Sequence, residues 1–287
     1  MRISSQQIFD SGINSVQRHT AEVVEAQRQI SSGHKYNRAS DSALAAGLGV
    51  QITFDNAQFA MFKVNQDHLN QVYAVSDTQL KSMFDAMAAF QQTMVQAANG
   101  TLSSDGLKTL GAKTASLVDT VEKLSNSLDA NGQPIFKATT PGDIEVASTL
   151  SLTNGLAKLE VMGQTGNTQY VDVLGVMKGI RNALRGYDDN NTPVTLTAPV
   201  AGDFTSMEAA LNQVTRAQVK VGLLQNQLDA AVQFAESQKL NVETARSNLL
   251  DTDLPQATSQ LAKSNALLQA AQAIITKLDT NTLFQKL

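Results

Sequence analysis

The sequence predicts a mainly α-helical protein: a long, coiled-coil-like helical bundle made from both chain ends, with a small α+β domain inserted between its halves. Apolar residues recur at alternating spacings of three and four along both halves of the chain, as they do in supercoiled helices. Prolines, glycines and threonines concentrate in the middle. Apolar residues make up 42% of the chain, but only 5% are aromatic and none is Trp, which favours helices packed side by side.

The first predicted helix ends in the stretch ISSGHKYNRASDSALAA, residues 30–46. Gly33 is placed as a helix C′ residue, a position where a left-handed backbone favours glycine. Asp41 lies in the first turn of the next predicted helix, with Ser40 or Asn37 as its N-cap. These features predict a joint between two helical segments.

An anion site is the competing interpretation of this stretch, because His34, Lys35 and Arg38 follow Gly33 closely. No glycine-rich loop follows a strand here, so we interpret the three side chains as solvated loop charges. The chain's three histidines lack the spacing of a helical metal site. We therefore predict no catalytic residue, no metal ligand and no cofactor.

The most regular seams of apolar residues follow this joint. Residues 45–97 and 207–249 each keep such a seam with few polar interruptions, and residues 107–128 carry a shorter one. At about 1.5 Å per residue, the two longest helices should extend roughly 65 to 80 Å. Isolated polar seam residues such as Gln66 are candidates for fixing the register of the bundle.

The middle of the chain, residues 133–204, predicts the inserted domain. Its short alternating runs KLEVM at 158–162 and VTLT at 194–197, together with nearby Asn-Gly and Gly-Asn turns, predict β-hairpins. Between these runs, residues 170–187 have helical spacing. The segment is therefore expected to mix strands with one helix.

A matching joint occurs near the C-terminus, in the stretch LLDTDLPQA at residues 249–257. Asp251 and Asp253 could form a catalytic carboxylate pair, but no second polar cluster accompanies them. Asp253 precedes Leu254 and Pro255, which suits a helix N-cap with proline in the first turn. This stretch is therefore also predicted to be structural.

The last predicted helix is apolar on more than one face, since Leu267 and Ile274 lie off its main seam. Such a helix must be buried from more than one side, and the short first helix cannot cover it alone. We expect the two chain ends to pair with each other and then with neighbouring copies, folding fully only on assembly. The predicted assembly interface comprises Phe9, Ile13, Val16, Val23 and Ile30 with Leu254, Leu261, Leu267, Leu268, Ile274, Ile275 and Leu278.

Composition argues against several partners and compartments. A net charge of -4 offers no electrostatic footprint for nucleic acid. No apolar run approaches the roughly 18 residues of a membrane span. The absence of cysteine excludes disulfides and thiolate catalysis, and the opening MRISSQQIFD lacks the apolar core of a Sec-type signal peptide.

Two motifs point to a family. SSG...N.ASD.A lies at residues 31–43 and D.DL..A...L......LQAA at residues 251–271. With the opening MRISSQQIF, they resemble the flagellin superfamily, and within it the family of hook-associated protein 3, the hook-filament junction proteins. The resemblance covers residues 1–135 and roughly the last 85 residues.

The resemblance implies a structural, non-enzymatic subunit of the bacterial flagellum, exported through the flagellar type III apparatus without a cleaved signal peptide. Extracellular copies would form a ring that joins hook-associated protein 1 to the flagellin filament, and an export chaperone would be a further partner. Residues 1–40 with 251–287 would form an inner coiled-coil layer, 41–132 with 205–250 a middle helical layer, and 133–204 an outer domain.

Two alternatives stay open. The first is flagellin, the filament subunit, which has the same terminal chemistry. The second is an enzyme carried by the inserted domain, which would need a convergent cluster of polar residues that we do not find in the sequence.

Overall fold

The computed structural model of the chain describes residues 5–129 and 131–284, with side chains throughout this range except at residues 5, 6, 8, 9 and 278–284. Most of these residues are helical. Two compact units are present: a terminal unit of residues 1–58 with 238–287, and a central unit of residues 59–237. The helices and strands, in chain order, are α1 Ser5–Ser32, α2 Ala43–Ala97, α3 Ser104–Ser125, β1 Phe136–Lys137, β2 Asp143–Ala147, β3 Leu150–Thr153, β4 Leu156–Ala157, α4 Lys158–Met162, α5 Val173–Arg185, α6 Ala201–Leu250 and α7 Leu254–Phe284.

The core of the central unit follows the predicted seams. Every seam position of α2 from Phe62 to Ala97 is buried, and so is every seam position of α6 from Met207 to Ala231. The 55 residues of α2 and the 50 residues of α6 correspond to about 80 and 75 Å of helix. The prediction of a mainly α-helical protein with long coiled-coil-like helices is confirmed.

The buried face of α3 differs from its predicted seam. Gly111 and Val118 are buried in place of Leu110 and Leu117, which are only partly covered. A Cβ at Gly111 would lie only 2.8 Å from Cγ of Arg185 on α5. The close approach of α5 therefore requires glycine at this position. Because α5 packs here, the buried face of α3 is shifted by about one residue from the predicted seam.

The inserted segment contains less strand than predicted. β2 pairs antiparallel with β3, and β1 pairs parallel with β4. The prediction of a strand at KLEVM was wrong, because residues 158–162 form helix α4, which buries Val161 and Met162. The prediction of a strand at VTLT was also wrong, because Val194 and Thr197 donate their backbone N–H groups to carbonyls at the end of α5.

Polar side chains of α2 hold the β2–β3 hairpin. Gln66, a buried seam residue, donates to the Val146 carbonyl at 2.6 Å, and Asn65 donates to the Glu145 carbonyl at 2.7 Å. The Tyr73 hydroxyl donates to the Thr153 carbonyl at 2.6 Å, and burial raises the pKa of Tyr73 to about 12. Each contact satisfies a strand carbonyl, so the polar seam residue Gln66 positions the inserted segment on the bundle.

Candidate assembly site

Helices α1 and α7 pair antiparallel in the terminal unit. A Cβ at Gly12 would lie 3.0 Å from Cγ1 of Ile275. Further along, the Ser264 hydroxyl donates to Glu22 at 3.2 Å. At the other end, the Thr252 amide donates to the Gly33 carbonyl at 2.9 Å. The two helices therefore run in opposite directions and contact each other over almost the whole length of α1.

Small side chains occupy the centre of this pairing. Among the described side chains of α7, the buried ones, Ala257, Ser264 and Ala271, recur every seven residues, and on α1 Val23 and Ala26 are buried. Small residues at one heptad position allow two helix axes to approach closely. The sequence places Ala257, Ser264 and Ala271 on the seam of α7, but the predicted interface took only the larger side chains of that seam. Of these five buried residues it included only Val23.

Several predicted interface residues lie beside this buried stripe. Val16, Ile30, Leu261, Leu268 and Ile275 are half-buried. They flank the small residues, and part of each side chain is buried within the single chain. Each still keeps exposed apolar atoms in the single chain.

The other predicted interface residues remain uncovered. Leu254 is 49% exposed, Leu267 40% and Ile274 56% on α7, and Ile13 is 37% exposed on α1. The side chains of Phe9 and Leu278 lie outside the described ones. Leu267 and Ile274, seven residues apart, lie on one face of α7, and exposed aliphatic side chains that share a face favour a protein contact there.

The two joints contact each other through their backbones. Lys35 donates its N–H to the Leu250 carbonyl at 2.7 Å, and Thr252 donates to Gly33 at 2.9 Å, which forms an antiparallel bridge between His34 and Asp251. Gly33 has a φ of +72°, so its predicted left-handed conformation is confirmed. The chain therefore leaves α1 and enters α7 at the same place.

Charged side chains surround this bridge. The Asp251 carboxylate lies 3.3 Å from Nη1 of Arg246 and 3.8 Å from Nδ1 of His34. The interpretation of His34 as merely a solvated charge was therefore incomplete, because its imidazole faces the Asp251 carboxylate.

The prediction for Asp41 needs a correction. Helix α2 begins at Ala43, and its N-cap is Ser42, whose hydroxyl accepts from the Ala45 amide at 3.2 Å. Asp41 precedes the helix and accepts from the amides of Asn37 and Arg38 at 3.2 and 3.0 Å. Asp41 thus lies in the loop of the joint and not in the first helical turn, because its carboxylate binds two amides of the loop itself. The prediction of Ser40 or Asn37 as the N-cap was wrong.

Asp253 behaves as predicted. Its carboxylate accepts from the Gln256 amide at 3.1 Å, and α7 begins at Leu254 with Pro255 in its first turn.

On α1, His19 lies 3.0 Å from Glu22, and its hydrogen bond lowers the pKa of Glu22. This carboxylate also accepts from Ser264, so one polar cluster sits inside the α1–α7 contact.

The described part of the chain holds neither a metal-binding cluster nor a membrane-spanning helix. Among those residues, no three His, Asp or Glu side chains are close enough to hold a metal ion. Within the same residues, no helix is both long and apolar enough to cross a membrane. The paired chain ends are the candidate functional site.

Two family profiles match the chain. The N-terminal helical region of bacterial flagellin matches residues 3–140, and the C-terminal helical region matches residues 204–287. These ranges cover most of the chain and include both joints. The chain belongs to the bacterial flagellin family. Its α1–α7 pair thus combines the first helix of the N-terminal flagellin region with the last helix of the C-terminal one.

Named flagellin-family members align with nearly the whole chain. Flagellar hook-associated protein 3 of Salmonella typhimurium is 24% identical, over 99% of this chain and 99% of that protein. Flagellin of Bacillus subtilis is 22% identical, over 96% of this chain and 95% of that protein. The crystal structure of flagellar hook-associated protein 3 from Legionella pneumophila covers 69% of this chain and 98% of its own, with a TM-score of 0.60 and 11% identity. The last comparison shows the same fold.

Proposed function

We propose that this protein is a structural, non-enzymatic subunit of the bacterial flagellum that forms the junction between hook and filament. Its likeness to flagellar hook-associated protein 3 of Salmonella typhimurium over the whole of both chains supports this function. In this role, it joins hook-associated protein 1 on one side to the flagellin filament on the other.

The uncovered apolar surface of α7 is the observation that carries the proposal. Leu254, Leu267 and Ile274 are 40% to 56% exposed in one chain, although each is large and aliphatic. Removing such surface from water stabilises an assembly by about 25 cal/mol per Å² buried. Neighbouring copies that bury these residues would form a ring through their paired chain ends.

The layered arrangement extends this proposal to the whole chain. Residues 1–40 with 251–287 form the inner layer, 41–132 with 205–250 the middle layer, and 133–204 the outward domain. The subunit is exported unfolded through the flagellar type III apparatus, with an export chaperone and without a cleaved signal peptide. It then folds its ends on assembly at the distal end of the hook.

A second candidate function is that of flagellin. The 22% identity with the Bacillus subtilis protein, over 96% of this chain, favours it. The two functions differ in the number of copies, because a junction protein forms one short band whereas a flagellin forms the length of a filament. An enzyme carried by residues 133–204 has no such observation in its favour.

Immunogold labelling of intact flagella tests the proposal. Antibody against residues 133–204 should label a short band at the boundary between hook and filament. Label along the whole filament would favour flagellin and overturn the junction role. The matched control is a strain that lacks the gene, which should show neither label nor filament.

A further inference from the structure

Glycine follows asparagine at three places in the central unit, at residues 99–100, 131–132 and 154–155. In this dipeptide the glycine nitrogen can attack the carbonyl carbon of the asparagine side chain, because glycine has no side chain to obstruct the approach and its backbone bends easily. The attack requires that the glycine amide gives up its proton. The three dipeptides should therefore differ in reactivity according to the hydrogen bonds of their glycine amides.

Two of the three glycine amides are engaged. Gly132 donates its N–H to the Asp129 carbonyl at 3.0 Å, and Gly155 donates to the Thr153 carbonyl at 2.9 Å. Gly155 is also buried, and a Cβ there would lie 3.3 Å from Cγ1 of Val72. Each hydrogen bond must open before the nitrogen can react, so both sites are protected in the folded chain.

The amide of Gly100 is available for the attack. It donates to no residue that the structure describes, and no atom lies within 4 Å of the position that a Cβ would take. Asn99 and Gly100 are both exposed, in the turn that links α2 to α3. The Leu102 amide closes this turn by donating to the Asn99 carbonyl at 3.2 Å. The nucleophile and the space for ring closure are thus both present at this site.

The side chain of Asn99 is held in an arrangement that favours the same reaction. Its Oδ1 accepts from the Thr101 hydroxyl at 3.1 Å and from the Thr101 amide at 3.4 Å. Attack on the carbonyl carbon places negative charge on this oxygen, and donors that already point at the oxygen stabilise that charge. Thr101 therefore activates the group that Gly100 attacks.

We propose that Asn99 is a site of spontaneous deamidation in the folded protein, through a succinimide formed with the Gly100 nitrogen. The nitrogen forms a bond to Cγ of Asn99 and gives up its proton, and the side-chain NH2 takes up a proton and leaves as ammonia. Water then opens the ring at either carbonyl, which gives aspartate or isoaspartate. This inference does not depend on the proposed function.

Both products change the turn between α2 and α3. Each adds a negative charge to a chain whose net charge is already -4. In isoaspartate the main chain runs through the former side chain, and the carbonyl that accepts from the Leu102 amide becomes part of a carboxylate outside the main chain. The turn also gains one backbone carbon, so the modification alters the connection from Ala97 at the end of α2 to Ser104 at the start of α3.

Peptide mapping by mass spectrometry tests the proposal. The full chain is incubated in mildly alkaline buffer, which favours loss of the amide proton, and the peptides with each asparagine are quantified over time. Asn99 should be deamidated at least about tenfold faster than Asn154 and than Asn131, which is also exposed but precedes a bonded amide. In urea the three rates should agree within about threefold, because only the fold separates them. Equal rates in the folded chain, or a faster rate at Asn131, would overturn the proposal.

A variant of Thr101 tests the activation of the side chain. Thr101→Val removes the hydroxyl donor and keeps the shape of the side chain, so deamidation of Asn99 should slow severalfold in the folded chain and stay unchanged in urea. Thr109→Val, at an exposed position of α3, is the matched control and should leave the rate unchanged. Circular dichroism checks that both variants are folded. An unchanged rate in Thr101→Val, or equal slowing in the two variants, would refute the role of the Thr101 hydroxyl.

Discussion

At Gly33 the whole effect of a substitution comes from the backbone. Its φ of +72° suits glycine, and no atom lies within 4 Å of an added Cβ. Gly33→Val should weaken the paired joint by about 1–2 kcal/mol, because a β-branched residue is strained in a left-handed conformation. Amide exchange at Lys35 and Thr252, the donors of the bridge, should then be about 5- to 30-fold faster by NMR.

Gly33→Asn is the matched control, and it should have a smaller effect because asparagine tolerates the left-handed region. Neutralising His34, Lys35 and Arg38 together should also have a smaller effect, since His34 is half-exposed and its contact to Asp251 is long, at 3.8 Å. If the triple change were more damaging than Gly33→Val, the joint would have to be reinterpreted as an anion site.

The pair of Arg181 and Asp189 predicts a pH dependence. Arg181 is 3% exposed and donates to Asp189, which is 54% exposed, at 2.6 Å. This hydrogen bond lowers the pKa of Asp189. A lowered carboxyl pKa stabilises the fold above the unfolded pKa, and this stability is lost as the pH falls through the folded pKa.

Urea unfolding of the wild type and Asp189→Asn between pH 7 and pH 3 tests this pair. The wild type should be more stable by about 1 kcal/mol or less, because solvent screens the half-exposed carboxylate. We expect a constant difference down to about pH 5 that shrinks below about pH 4. Asp85→Asn, an exposed change on α2 and away from this pair, is the control. A difference that grows on acidification would be incompatible with this ion pair.

At the scale of elements, the helices of 13 residues or more could be predicted, including α5, and the five-residue helix α4 could not. The seams of α2 and α6 extend over many turns, so their period is unambiguous in the sequence. Residues 158–162 are too short to reveal a period, and α4 is fixed by tertiary contacts such as the bond from Gln213 to the Val161 carbonyl at 3.1 Å. Tertiary contacts also determine the conformation of residues 194–197, because the amides of Val194 and Thr197 donate to carbonyls at the end of α5.

The candidate site could also be predicted only in part from the sequence. Periodicity identified the seam of α7 and its second apolar face, including Leu267 and Ile274. It could not say which heptad position lies at the centre of the contact, because this depends on how closely two helices approach. Ala257 and Ser264 lie on the predicted seam, but only the structure shows them at the centre of the contact. The contact between the two joints is between residues distant in sequence, and no local pattern encodes it.

Gly12 tests the close approach of α1 and α7. A Cβ there would lie 3.0 Å from Ile275, so Gly12→Val should force the helices apart and destabilise the pair by about 1–3 kcal/mol. Gly47→Ala on α2 has no atom within 4 Å of the new Cβ and should stabilise its helix by about 0.5–1 kcal/mol. Amide exchange of α1 distinguishes the two. Equal protection of α1 in Gly12→Val and in the wild type would contradict the packing described.

For the whole molecule, the two units should differ in stability. The central unit buries large side chains such as Phe62, Tyr73 and Phe90, whereas the centre of the α1–α7 contact is made of small ones. In a purified monomer, amides of α1 and α7 should therefore exchange on the order of 100-fold faster than those of α2 between residues 62 and 97. Equal protection of both units, in a sample confirmed as monomeric by sedimentation, would argue against folding coupled to assembly.

The most direct test of the assembly surface places a charge on it. Leu267 and Ile274 are exposed in one chain, so Leu267→Glu and Ile274→Glu should be expressed, exported and thermally unchanged as monomers. In an assembly each change would bury an unpaired carboxylate, at about 3 kcal/mol or more per contact. Gln269→Glu, at an exposed polar position of the same helix, is the matched control.

Electron microscopy of flagella on cells that carry each variant as their only copy measures the result. Cells with Leu267→Glu or Ile274→Glu should bear hooks without filaments and release flagellin into the medium, whereas Gln269→Glu cells should bear normal filaments. Normal filaments on cells with Leu267→Glu and with Ile274→Glu would contradict the claim that this face of α7 is an assembly surface.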